Sequence, residues 1–97
     1  MLKQQITPNS VITAVISTGV EIVTEVVSMS DPSVIEVKNP LVIKLDQDTN
    51  NIGLGIFSLS AEVGRTIPIN RSHIISLSPA NPTLEQDYRN VIAKQSE

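Results

Sequence analysis

Valine and isoleucine make up most of the apolar residues of this 97-residue chain, and they recur along nearly its whole length. Side chains branched at Cβ fit a pleated sheet and lose χ1 freedom in a helix, so this bias favours strands. Large aromatics are almost absent, since the chain has one tyrosine, one phenylalanine and no tryptophan. A core without them gains less buried area per residue, and small domains often compensate by self-association. The sequence therefore predicts one small, β-rich domain that assembles with copies of itself.

Turn-forming residues divide the apolar runs into segments of strand length. Gly19 predicts a tight turn because glycine takes positive φ at low cost, and Asp31-Pro32 predicts a second turn. Asn39-Pro40 interrupts a long run, and because proline cannot donate to a ladder, it predicts a sharp bend or an edge position. The segments between these turns predict strands at 11–18, 20–29, 34–46, 52–60 and 73–78, with an extended segment at 66–69.

The last part of the chain changes to a helical pattern. Thr83 and Gln86 have the spacing of a capping box, and Glu85 and Arg89 form an i,i+4 pair of favourable order. We therefore predict a helix over about residues 83–95 that packs on the sheet or on a neighbouring subunit. Its predicted apolar face consists of Leu84, Tyr88, Val91 and Ile92.

Composition excludes several classes of protein. The chain has no cysteine, which excludes disulfides, thiolate metal sites and cysteine nucleophiles. Polar residues interrupt every long apolar run, and the first ten residues lack the apolar stretch of a secretory signal. We therefore expect a cytoplasmic protein that does not enter a membrane. The net charge of −3 comes without any basic run, which argues against tight nonspecific binding to duplex nucleic acid.

No segment carries a convincing catalytic, metal-binding or phosphate-binding motif. His73 is the single histidine, and no local pattern places it in a Ser-His-Asp arrangement. The acidic segment 46–51 begins like a calcium loop, but Asn51 stands at its sixth position and Phe57 at its twelfth. The Gly53-Leu54-Gly55 segment lacks the third glycine of a dinucleotide-binding loop. We therefore predict a binding or assembly protein with no catalytic residues, no metal and no cofactor, and not an enzyme.

The turn Asn70-Arg71-Ser72-His73 is the one polar cluster with a potential binding role. It combines an amide, a guanidinium, a hydroxyl and an imidazole between two extended segments. In a single molecule this is an ordinary polar turn, with Arg71 paired to a neighbouring acid. Repeated around a ring, the same turn would surround a hole with cations and concentrate positive potential there, despite the negative net charge.

The order of these features resembles the Sm-like (LSm/Hfq) family. A strand leads to Gly19, apolar residues follow around Val20 and Val26, and a turn acid stands at Asp31. The next strand, 34–39, ends in Asn39. The later segment 69–76 is similar to the family's second motif, in which an apolar residue precedes a basic turn and an apolar strand. The likeness covers about residues 11–78 and is greatest to small Sm-like proteins of phage origin.

This resemblance implies a fold, an assembly and a ligand. The fold would be a small, strongly bent, five-stranded Sm-like (SH3-like) barrel over residues 11–78, followed by the C-terminal helix. Edge strands of adjacent subunits would pair, and the copies would close into a homo-oligomeric ring. The pore would bind short single-stranded RNA, rich in U or A. The residues implied in RNA binding are Asn70, Arg71, Ser72 and His73, with Ser33 as a neighbour.

Three departures from the family keep a second hypothesis open. The family's second glycine falls at Thr24, its helix normally precedes the barrel, and segment 33–35 lacks a base-stacking aromatic. Stacking on aromatics supplies much of the affinity for single strands. The alternative is a structural or protein-interaction ring that has lost RNA binding and has a protein partner. A small hydrolase is a third possibility that almost no residue supports.

Overall fold

The computed structural model describes residues 6–46, 48–56 and 65–95, and it folds them into six strands and one long helix. The predicted β-rich domain with a C-terminal helix is confirmed, although with six strands in place of five. The second half of the predicted fourth strand, residues 57–60, lies outside the described residues. The elements are β1 Val11–Ile16, β2 Glu21–Ser28, β3 Val34–Asp46, β4 Asn51–Ile56, β5 Thr66–Asn70, a 3-10 turn Arg71–His73, β6 Ile74–Pro79 and α1 Pro82–Gln95.

All strand pairs are antiparallel, and the strand order is β4-β3-β2-β1-β6, with β5 paired to β3. The long strand β3 therefore has two partners beyond β2. Its first part pairs with β5 and its second part with β4. The last strand returns to pair with the first, which leaves β4 and β6 at opposite ends of the path. Within the described ranges no pairing joins these two ends, so the sheet is not closed into a barrel.

The predicted turn and the predicted bend both form. Gly19 has φ of 88° and its N–H donates to the Ile16 carbonyl at 2.8 Å, which closes the β1–β2 hairpin. The bend of β3 lies at Asn39, whose φ of 53° is in the left-handed region. Between two adjacent register pairs, β2 advances by two residues while β3 advances by three. This extra residue is a β-bulge, which bends a strand and increases its twist.

The sheet buries apolar side chains on both faces. Register pairs place Ile12 opposite Thr24 and Val37 opposite Val26, so one face carries a core of short branched side chains. The opposite face lies under α1, where Val11, Val23 and Leu41 pack with Tyr88. The first face also contains buried Ala14, Ile22 and Ile35. The small core inferred from composition is thus divided between two layers.

Helix α1 covers the second face with the residues that its pattern predicts. Leu84, Val91 and Ile92 pack around the buried Tyr88, and the Glu85–Arg89 ion pair forms at 3.1 Å. The predicted capping box is wrong. The helix begins at Pro82, and the Asn81 side chain accepts the Leu84 N–H at 2.8 Å. Asparagine is a strong N-cap and proline suits the first helical position, which explains why the helix starts before Thr83.

Candidate nucleic-acid interface: the polar corner

Two turns meet at one corner of the sheet because β3 and β5 are paired. The β2–β3 turn leads into Val34, which lies opposite Asn70 at the end of β5. Next to this pair, the Arg71 N–H donates to the Ser33 carbonyl at 2.9 Å. The fold thereby brings together segments that are nearly forty residues apart in sequence. We call this cluster the polar corner, and it consists of Asp31, Ser33, Asn70, Arg71 and Ser72.

The β2–β3 turn is closed by a carboxylate. Asp31 Oδ1 accepts hydrogen bonds from the Ser33 N–H at 2.8 Å and from the Ser33 hydroxyl at 2.7 Å. These two bonds, with a smaller contribution from the positive charge of Arg71, hold the pKa of Asp31 below its usual value. Asp31 is therefore an exposed anion at neutral pH. The turn predicted at Asp31-Pro32 is confirmed.

The connection between β5 and β6 repeats this arrangement with an amide. Asn70 caps the 3-10 turn, and its Oδ1 accepts from the Ser72 N–H at 3.0 Å and from the Ser72 hydroxyl at 2.9 Å. The hydroxyl proton of each serine in the corner is thus already donated within its own turn. The serine lone pairs and the amide nitrogen of Asn70 remain able to contact a ligand.

Arg71 joins the two turns. Its Nη2 donates to the Met29 carbonyl at 2.9 Å, and its Nε lies 3.4 Å from the Val34 carbonyl. The half-buried guanidinium therefore spans the base of the β2–β3 turn and holds its two ends. A guanidinium has five N–H donors, so these contacts leave some of them for a phosphate or a base. The same contacts mean that Arg71 also stabilises the β2–β3 turn within one subunit.

His73 lies apart from the corner. Its carbonyl accepts the Ser17 N–H at 2.7 Å, and its Nδ1 lies 3.4 Å from the Ser17 hydroxyl. Both residues are exposed, and this contact attaches the histidine to the β1–β2 turn. Of the residues predicted to bind RNA, Ser33, Asn70, Arg71 and Ser72 are brought together, whereas His73 contacts a different turn.

Asp31 and Met29 both take part in this corner, although the sequence pattern does not predict it. Asp31 was predicted as a turn residue, and its spacing of two from Ser33 is the signal that would have placed it in the corner. Met29 takes part through its carbonyl, so its side chain type gave no signal. The charges of Asp31 and Arg71 are opposite, so a single copy of the corner has no excess of positive charge.

Other classes of site find little support in the part of the chain that the structure describes. No group of three or more His, Cys, Asp or Glu side chains could hold a metal ion there. None of the described helical residues form a helix with the length and apolar character needed to cross a membrane. In the acidic segment between β3 and β4, Asn50 adopts a left-handed φ of 59°.

The sequence matches no protein-family model, and no curated protein matches it.

Proposed function

We propose that the chain is an Sm-like subunit of a homo-oligomeric ring, and that its polar corner binds short single-stranded RNA at the pore. The strand pairing supports the Sm-like part of this proposal. The last strand pairs with the first, and the third strand is sharply bent and shared between two partners. Both features suit the strongly bent sheet of such a subunit, although the described strands leave the sheet open.

One observation carries the RNA-binding part of the proposal. Ser33, Asn70, Arg71 and Ser72 form one continuous surface, although they come from two distant turns. A ring would repeat this surface around an axis, and each copy would add one guanidinium and one amide donor. Each copy would also add the Asp31 carboxylate, so the ring would attract RNA through closely spaced hydrogen-bond donors and not through an excess of positive charge.

The ends of the sheet support self-association. Strand β6 lies at the end of the strand order and contains no charged residue, and its Ile75 is 67% exposed. Monomeric proteins usually protect an edge strand with charges, prolines or a covering element, and within β6 the one such residue is Pro79 at its end. Pairing of β6 with β4 of the next copy would cover both edges and would continue the sheet from one subunit to the next.

The test measures both the mass of the assembly and its affinity for RNA. Native mass spectrometry should give a single closed oligomer, and fluorescence anisotropy at low salt should detect binding of U-tract or A-tract RNA. Arg71→Ala should abolish binding, whereas Arg65→Ala should retain it. The Arg65→Ala variant is a matched control, because it removes the same charge at an exposed position before β5.

Two results would overturn the proposal. A monomer at micromolar concentration would remove the pore, and with it the site. Equal RNA binding by the Arg71→Ala and Arg65→Ala variants would show that any affinity comes from general charge. Circular dichroism of Arg71→Ala confirms that the variant is folded before its binding is interpreted.

The second candidate is a protein-interaction ring without RNA affinity, and a specific observation favours it. The guanidinium of Arg71 already donates to two backbone carbonyls, and the charge of Asp31 opposes it nearby. In this case the wild-type protein forms the ring but binds no RNA up to tens of micromolar, and a pull-down recovers a protein partner.

A further inference from the structure

The carbonyl groups at the bend of β3 receive hydrogen bonds from side chains of β2 and α1. The Lys38 carbonyl accepts from the Thr24 hydroxyl at 2.8 Å. The Tyr88 hydroxyl lies 2.8 Å from the Asn39 carbonyl and 3.1 Å from the Lys38 carbonyl, and it donates to this pair. Thr24 and Tyr88 are each only 1% exposed, so water does not replace these bonds in the folded protein.

A second link joins α1 to the same place. The Glu25 side chain, 14% exposed, lies 3.3 Å from the Lys38 ammonium and 3.7 Å from the Arg89 guanidinium. Arg89 lies next to Tyr88 on the helix, and Lys38 is the last residue before the bend. Two consecutive helix residues thus contact the bend, Tyr88 through a hydrogen bond and Arg89 through the shared carboxylate of Glu25.

The bend separates the two parts of β3 that matter for the proposed function. The part before it, Val34 to Lys38, pairs with β5 and leads into the polar corner. The part after it, Leu41 to Asp46, pairs with the edge strand β4. The angle at Asn39 therefore determines how the corner is oriented relative to the edge that would contact the next subunit.

We propose that Tyr88 is a positioning residue, through which helix α1 holds the bend of β3 and so determines how many subunits close the ring. A bulge alone allows a range of strand angles, whereas a buried hydroxyl that donates to both carbonyls at the bend favours one angle. The link between Tyr88 and the bend concerns one subunit. The effect on subunit number rests on the proposed ring.

The Tyr88→Phe variant tests the link between Tyr88 and the bend. It removes the hydroxyl and keeps the aromatic side chain that packs on Val11, Val23 and Leu41. Its matched control is Val91→Ala, which loosens the same helix face without touching the bend. Amide exchange of Lys38, Asn39 and Leu41 is followed by NMR. We expect exchange about tenfold faster in Tyr88→Phe than in Val91→Ala, while amides in β1 exchange alike in the two variants.

Native mass spectrometry of the same two variants tests the effect on assembly. Tyr88→Phe should broaden or shift the distribution of subunit numbers, and Val91→Ala should leave it as in the wild type. Equal exchange at the bend in the two variants would overturn the role of Tyr88. An unchanged subunit number with a loosened bend would overturn its effect on closure. A monomeric wild type would contradict the ring and its closure, while the exchange data would still decide the link.

Discussion

Tyr88 and Arg71 have the same structural role, but Tyr88 is buried and Arg71 is half-exposed. Each side chain reaches two backbone carbonyls at an irregular point of the sheet, Tyr88 at the bend of β3 and Arg71 at the base of the β2–β3 turn. Tyr88 is buried among apolar residues, whereas Arg71 is half-exposed beside Asp31 and Ser33. Hydrogen bonds of similar geometry therefore contribute differently to stability, because only the Tyr88 side chain is shielded from water.

This difference separates stability from binding in the molecule. The helix face combines burial of branched side chains with buried hydrogen bonds, so changes there affect the whole fold. The polar corner is held by short-range bonds that water can partly replace. A surface of the second kind can exchange some of its contacts for a ligand at a small cost in free energy, which suits a binding site.

The largest expected effect is that of removing Tyr88. Tyr88→Ala should lower the free energy of unfolding by about 3–5 kcal/mol, because it leaves a cavity in the core and removes the hydroxyl that donates to the carbonyls at the bend. Urea denaturation measures this loss. Leu45→Ala is the control, since Leu45 is 60% exposed and its truncation should cost less than about 0.5 kcal/mol. Similar losses in the two variants would mean that α1 is not docked on the sheet.

Alkaline pH probes the same residue without a cavity. Burial, and to a lesser extent the Glu25 carboxylate, raise the pKa of the Tyr88 hydroxyl well above its ordinary value. Because the pKa is raised in the folded state, the protonated hydroxyl makes its full contribution to stability at every pH below the unfolded pKa of about 10. Above that pH, the unfolded chain releases the proton first, and stability falls by up to about 1.4 kcal/mol per pH unit.

Urea denaturation between pH 9 and pH 12 measures this effect as a difference between the wild type and Tyr88→Phe. The difference removes the contributions of all groups that the two proteins share. We expect the wild type to lose stability more steeply than Tyr88→Phe above about pH 10. Parallel curves would show that the hydroxyl is accessible to water.

The equivalent truncation at the polar corner should cost less. Arg71→Ala should lower the free energy of unfolding by about 1–2 kcal/mol, since half-exposed carbonyls regain hydrogen bonds to water. The effect should be local, with faster amide exchange in the β2–β3 turn and little change under α1. A loss as large as that of Tyr88→Ala would contradict the contrast between the two regions.

Much of the helix face could be predicted from the sequence, and less of the corner. The spacing of Leu84, Tyr88, Val91 and Ile92 identified the buried side of α1, because helical periodicity depends on local order alone. The corner depends on which strands pair. The family resemblance brought Ser33 and Arg71 together as an expectation, but the contact of Arg71 with the Met29 carbonyl requires the pairing of β3 with β5. The attachment of His73 to Ser17 depends on the β1–β6 pairing.

The role of Tyr88 at the bend also could not be predicted from the sequence. Asn39-Pro40 predicted the bend and the apolar pattern predicted a buried Tyr88, but no local rule connects residues forty-nine positions apart. The hydroxyl needs a partner once it is buried, and it finds two carbonyls at the bulge. That requirement would have justified the pairing only after the helix had been placed on this face.

The smallest expected effect concerns the start of α1, where two local signals compete. Thr83 and Gln86 have capping-box spacing, but Pro82 precedes Thr83 and fits the first helical position, which leaves Asn81 as the cap. Asn81→Ala should therefore cost about 1 kcal/mol in urea denaturation, and Thr83→Ala less than about 0.5 kcal/mol. Asn81→Ala should loosen the first turn of α1. The bend at Asn39 contacts α1 further along the helix, so its amides should remain protected from exchange. The opposite ranking would mean that Thr83, and not Asn81, caps the helix in solution.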